Sequence, residues 1–130
     1  MLDTDVVIAA LDRSDAHHRE AAEAVSAMIE DDVELLLSTV NYAEALVRPA
    51  QDEKNLHVAV DAIAALGIKP IGPDAAMARD AARYRALSIS LADGFALATA
   101  RARSASVASF DQRVRRAMSE LGLESPETLP

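Results

Sequence analysis

Four carboxylates, Asp3, Glu44, Asp93 and Asp111, each stand near a point where an apolar stretch passes into a helix-forming one. Carboxylates brought within a few Å repel and raise one another's pKa, so an all-acid cluster requires a cation or a shared proton. Ligands that are oxygen only, with no cysteine anywhere in the chain, suit a hard ion such as Mg²⁺ or Mn²⁺. Each acid also has a plainer reading as a helix-start residue, favoured by the helix dipole at about 0.3–1 kcal/mol. Asp3 is well placed as an N-cap, Asn41-x-x-Glu44 matches a capping box, and Asp74 reads only as a cap.

The stretch from Ser88 to Gln112 shows how such acids come to share a rim. Leu91, Phe95, Ala98 and Ala102 recur at helical spacing, predicting a helix from about Ser90 whose apolar face lies on a sheet, with Asp93 in its first turn. The run Ala105–Phe110 suits a buried strand, and Asp111 closes it. In a parallel βαβ unit the strand's C-terminal edge and the next helix's N-terminus face the same rim, where open α/β sheets bind ligands.

The remaining elements repeat that plan. Met1-Leu2 is a very short strand before a helix with Val7, Ala10 and Leu11 on one face, and Asp15 precedes a helix over 16–29. His17 and His18 are adjacent, point to different helix faces and read as surface residues. Leu35–Ser38 is a strand, followed by a helix that Pro49 stops. A helix over 52–66 places Leu56, Ala59, Val60, Ile63 and Leu66 inward and ends at Gly67. Ile68–Ile71 is a strand that Pro70 sends to the sheet edge, and Asp74 opens a helix over 75–87. The last helix spans 112–121 and ends at Gly122, leaving 122–130 as a frayed tail with nothing to bury. The order predicts one α/β domain over 1–121, with a mostly parallel sheet and helices on both faces.

Composition narrows the function classes. At 130 residues and 51% hydrophobic the chain suits a single domain with a real core. Absent cysteine excludes disulfides and thiolate metal sites and fits a reducing cytoplasm, and no apolar run approaches the roughly 20 residues that span a bilayer. Gly-rich phosphate loops, His-Glu-x-x-His helices and Gly-x-Ser-x-Gly elbows are missing. The net charge of −8 opposes a polyanionic partner, yet Arg79 to Arg116 hold eight basic residues against three acids, a local excess of +5 that leaves −13 elsewhere.

Leu2-Asp3-Thr4-Asp5, Ser38-Thr39 followed by Glu44, Leu91-Ala92-Asp93 with a small-residue helix behind it, and Ser109-Phe110-Asp111 resemble, in order and spacing, the PIN-domain ribonucleases, especially the VapC-type toxins. The resemblance covers about residues 1 to 121. It implies a PIN-like, Rossmann-like sheet of four to five strands and a metal site of Asp3, Glu44, Asp93 and Asp111 holding Mg²⁺ or Mn²⁺. Ser109 and Asp5 would support that site. It further implies endoribonuclease activity by metal-assisted hydrolysis, a cognate antitoxin protein, a homodimer and a cytoplasmic location, with no membrane partner. A stand-alone RNA-processing nuclease and a PIN-like module that only binds a partner are the alternatives within the fold. A phosphorylated receiver domain would need a lysine near the end of a late strand, and the only lysines are Lys54 and Lys69.

Overall fold

Hydrogen bonds among extended segments build the layer on which the helices rest. The computed structural model describes residues 1–130. Strands β1 (Leu36–Ser38) and β2 (Lys69–Ile71) pair in parallel, with Leu36 opposite Lys69. On the other side of β1, the Leu2 N–H donates to Leu36 O (2.8 Å), and Leu2 forms a parallel bridge to Ala108. The Asp3 N–H donates to Ala108 O and the Ala108 N–H to Met1 O, both at 2.9 Å. The sheet proper therefore has two strands where four to five were expected. The Leu2 segment joins β1 through a single bond and the Ala108 segment joins Leu2 as an isolated bridge, because each runs at once into the residues that cap a helix. Pro70, which has no N–H to donate, sits on the outer strand as expected.

Seven α-helices surround this layer: α1 (Thr4–Leu11), α2 (His18–Glu30), α3 (Thr39–Leu46), α4 (Glu53–Ala65), α5 (Ala75–Tyr84), α6 (Leu91–Ala102) and α7 (Gln112–Leu121). None is long and apolar enough to cross a membrane. Side chains of an extended segment alternate between faces. Leu35 and Leu37 accordingly enter one core with Val6, Val7, Val25 and Met28, while Leu36 enters another with Leu97, Val107, Val114 and Met118. Leu2 and Ala108 go to the first core, and their neighbours Met1 and Val107 to the second. Helices thus cover both faces.

Three expectations need correction or refinement. The face of α6 is not the one its larger residues suggested: Leu91 is 51% exposed, while Ala92, Gly94 and Ala96–Ala100 are all buried. Packing of α5, α3 and β1 around α6 buries it on most sides, so small residues rather than a stripe define its contacts. A Cβ at Gly94 would lie 2.9 Å from Ala81 O, so glycine is what lets α5 approach this close beside Asp93. On α4 the expected face does turn inward, but only Ile63 is fully buried while Leu56, Ala59, Val60 and Leu66 are half-buried, and Val58 beside them is 61% exposed. The tail is not frayed: Leu129 is 1% exposed within the first core, Val107 N–H donates to Glu124 O, and Arg115 donates to Pro130 O. One large apolar side chain and these bonds suffice to pin it.

Candidate active site

The bridge that holds Leu2 against Ala108 delivers Asp3 to the rim. Asp3 is the N-cap of α1, and its Oδ1 accepts the Thr4 N–H (2.9 Å) while Oδ2 accepts the Ser109 hydroxyl (2.7 Å). The residue is only 3% exposed. Burial, the charge of Asp5 and, more weakly, that of Asp93 push its carboxyl up from 3.8 to about 7, against the downward pull of the Ser109 and Thr4 hydrogen bonds. No basic side chain pairs with it.

Asp5, on the first turn of α1, accepts the Phe110 N–H at Oδ2 (2.9 Å), and its buried Oδ1 has no donor. Burial raises its carboxyl more than the hydrogen bonds from Phe110 and its neighbours lower it. Asp111 caps α7: its Oδ1 accepts the Arg113 N–H (2.7 Å) and its Oδ2 lies 3.4 Å from the Arg113 guanidinium. Burial pushes it up, but the Arg113 bonds outweigh that, and its carboxyl is held below the usual range. Ser109 Oγ ties the two ends together, donating to Asp3 and accepting the Asp111 N–H (3.1 Å).

Asp93 completes a capping box with Ser90, accepting the Ser90 N–H at Oδ2 (3.0 Å) while Ser90 Oγ accepts the Asp93 N–H (3.1 Å). Its charge nonetheless reaches Asp3. Glu44 does not cap α3; Ser38 does, accepting the Val40 N–H. Glu44 is exposed, and its Oε1 accepts the Thr4 hydroxyl (2.9 Å).

The acids share one neighbourhood, but no three Asp, Glu or His side chains converge closely enough to hold a single ion in this arrangement. The donor chemistry still fits a hard divalent cation. Asp3 and Asp5 are stressed by burial and like charge, an oxygen of Asp5 faces no donor, and of the acids gathered here only Asp111 forms an ion pair.

Thr4 and Asn41 were missed as site residues. Asn41 is fully buried, and its amide donates to Thr4 Oγ1 (3.1 Å) and, at the long limit, to Asp3 Oδ1 (3.4 Å). The capping-box pattern, which drew attention to Asn41 for another reason, was its only signal. His17 is exposed, as expected, and stacks on Phe110 with ring centroids 4.4 Å apart, while His18 is half-buried with its Nδ1 2.7 Å from Ala9 O. Much of the arginine excess is already engaged: Arg83 with Asp80, Arg101 with Tyr84, Arg113 with Asp111, and Arg85 and Arg115 with main-chain carbonyls.

Away from the acids, an open cleft of about 500 Å³ lies among α1, α3 and α4, lined by Ile8, Leu11, Ala45, Val58 and Ala62, with Arg48 and Asp12 among its polar residues.

The sequence profile described as the PIN domain matches residues 1–119. No match is found among curated protein sequences. Among solved structures, VapC20 of Mycobacterium tuberculosis, described as a sarcin-ricin loop cleaving toxin, is similar with a TM-score of 0.71 at 14% identity, covering 96% of each chain. FitAcB from Neisseria gonorrhoeae is similar with a TM-score of 0.66 at 24% identity, covering 98% of this chain and 96% of its own. At these identities the likeness is one of fold.

Proposed function

Because the chain belongs to the PIN-domain family, we propose that it is a Mg²⁺- or Mn²⁺-dependent endoribonuclease that hydrolyses RNA phosphodiester bonds, acting as the toxin of a VapBC-type pair. The observation that carries this reading is Asp3: a carboxyl buried beside Asp5 and within reach of Asp93, raised to about 7, with no cation of its own. Asp3 and Asp93 are the core ligands in this reading, Glu44 and Asp111 complete the set, and Asp5 and Ser109 support it. A divalent ion there supplies charge neutralisation for the scissile phosphate and lowers the pKa of water. Ser109 orients Asp3 through its hydroxyl, and the Phe110 N–H fixes Asp5. The sarcin-ricin loop cleavage in the description of the similar VapC20 supports RNA as the substrate.

The cleft among α1, α3 and α4 supports the partner side of the proposal. Its apolar lining, with Ile8 37% and Val58 61% exposed, suits an amphipathic segment of an antitoxin, and homodimerisation and a cytoplasmic location belong to the same reading. The test is direct. Protein stripped with EDTA and incubated with a single-stranded or loop-containing RNA is expected to cleave it only after Mg²⁺ or Mn²⁺ is restored. Unchanged cleavage in excess EDTA contradicts the metal mechanism.

A further inference from the structure

Thr4 stands between two acids of the site, and its hydroxyl joins helices α1 and α3. It donates to Glu44 Oε1 (2.9 Å) and accepts from Asn41 Nδ2 (3.1 Å). A threonine hydroxyl has a single proton, so an incoming donor on its lone pair leaves that proton for an acceptor elsewhere. Asn41 supplies that donor, and Glu44 is the acceptor. The orientation of the Asn41 amide follows from its neighbours: flipped, its oxygen would face Asp3 Oδ1, which already accepts the Thr4 N–H, and would compete with Glu44 for the Thr4 proton. As it stands, Asn41 Oδ1 is buried without a partner. Buried amides with an unmatched oxygen are uncommon, and a side chain kept for packing alone would carry no such defect.

We propose that Asn41 is a positioning residue that sets Glu44 against Asp3 through the hydroxyl of Thr4, a role that rests on the reading of Asp3 and Glu44 as parts of one hydrolytic site. Glu44 is exposed, and an unrestrained glutamate samples several rotamers. The Thr4 hydroxyl selects among them, and Asn41 sets the direction in which that hydroxyl points. Asn41 also approaches Asp3 Oδ1 at 3.4 Å, so one buried amide lies between Asp3 and the hydroxyl that holds Glu44. Displacement of a reacting or ligating group by about 1 Å costs on the order of 10²-fold in rate, so the relay should be visible in turnover.

The experiment combines RNA cleavage in Mn²⁺ with the NMR order parameter of the Glu44 side chain in metal-free protein. Thr4→Val keeps the shape of the side chain and removes the hydroxyl. It should lower kcat by about tenfold to a hundredfold and lower the Glu44 order parameter, while Thr4→Ser restores both. Asn41→Asp keeps the shape and turns a donor into an acceptor, so it should draw the Thr4 proton away and loosen Glu44 as Thr4→Val does. If that variant does not fold, Asn41→Leu, which removes the donor without adding charge, is expected to lower the same order parameter. In a Glu44→Ala background Thr4→Val should cost nothing further, since nothing is left to position. Where residual cleavage there is too slow to follow, the order parameters decide. Full activity in Glu44→Ala would overturn the reading of Glu44 as a site residue, and the relay with it. A large loss in Glu44→Ala, with Glu44 equally ordered in wild type, Thr4→Val and the Asn41 variants, would overturn the relay alone and leave Asn41 a structural tie between α1 and α3.

Discussion

Asp3 and Asp111 open their helices by the same device, a carboxylate that accepts an N–H of the first turn, and come under opposite electrostatic loads. Asp111 meets Arg113, and its carboxyl is held below the usual range. Asp3 lies under the sheet rim, 3% exposed and beside Asp5, and its carboxyl is pushed up to about 7. Ser109 touches both, with its hydroxyl on Asp3 and its Oγ under the Asp111 N–H, so the contrast arises within one connected group. A capping position therefore says little about what an acid is for. Desolvation and the sign of the neighbouring charges separate a carboxylate that needs a cation from one that has found it.

The largest effect that could break this contrast is on turnover. Asp3→Asn should lower RNA cleavage by roughly 10³-fold or more, as expected when a principal electrostatic element of a site is removed. Asp111→Asn, whose charge is already neutralised by Arg113, should cost less in the same assay. Equal losses would mean that Arg113 leaves Asp111 for the site during the reaction.

Ser109→Ala sharpens the comparison at the level of stability. It removes a buried donor from an ionised Asp3, at a cost of about 1–3 kcal/mol in urea unfolding at pH 8. The cost should shrink at pH 5, where the Asp3 carboxyl, raised in the fold, is protonated. A cost independent of pH would show that Ser109 acts mainly through Asp111.

Asp111→Asn should change stability least, by about 0.2–1 kcal/mol at pH 7, since asparagine also caps and the Arg113 pair is solvent-facing. The sign differs from that of Asp3. With a folded pKa held low, the contribution of Asp111 is present above its ordinary value of 3.8 and disappears as pH falls through the folded value. Urea midpoints for wild type and variant at pH 7 and pH 3 should therefore converge at the acid end.

Much of this was legible in the sequence where a local rule operates. Asp3, Asp74 and Asp111 as caps, Asp93 in the first turn of its helix, Pro70 at the sheet edge and Gly122 ending α7 all follow from backbone donors, a missing N–H or a positive φ. Tertiary packing decided what was not legible. The small residues of α6 look alike on every face, so periodicity chose the stripe through Leu91 although burial runs almost all round. Leu129 stands alone among polar residues and prolines, and nothing nearby announces the core it enters. The Asn41-x-x-Glu44 spacing suggested a cap, but Ser38 already serves α3, which leaves Glu44 for Thr4 across a separation of 40 residues. The local basic excess between Arg79 and Arg116 gave no sign of how many of its side chains the fold engages, since those partners are set by tertiary contacts and turns.

The central claim is that Asp3 is a carboxylate the fold strains and a divalent cation relieves. A folded pKa raised from 3.8 to about 7 means that the stabilising contribution of the proton is fully present below 3.8 and is lost as pH rises through about 7. At face value the loss approaches about 4 kcal/mol by pH 8. The Met1 ammonium, lowered to about 6 by burial, contributes the opposite slope between about 6 and 8, but cancels when wild type and Asp3→Asn are compared. The decisive measurement is the Tm of both proteins at pH 5 and pH 8, in EDTA and in saturating Mn²⁺. In EDTA at pH 8 Asp3→Asn should melt above wild type, and the gap should narrow at pH 5. Mn²⁺ at pH 8 should close the gap, because wild type gains about 2.7 kcal/mol at a hundredfold excess over Kd and about 4.1 kcal/mol at a thousandfold, and the variant forfeits most of that. An Asp3→Asn variant that melts below wild type in EDTA at pH 8, and gains as much as wild type from Mn²⁺, would contradict the account.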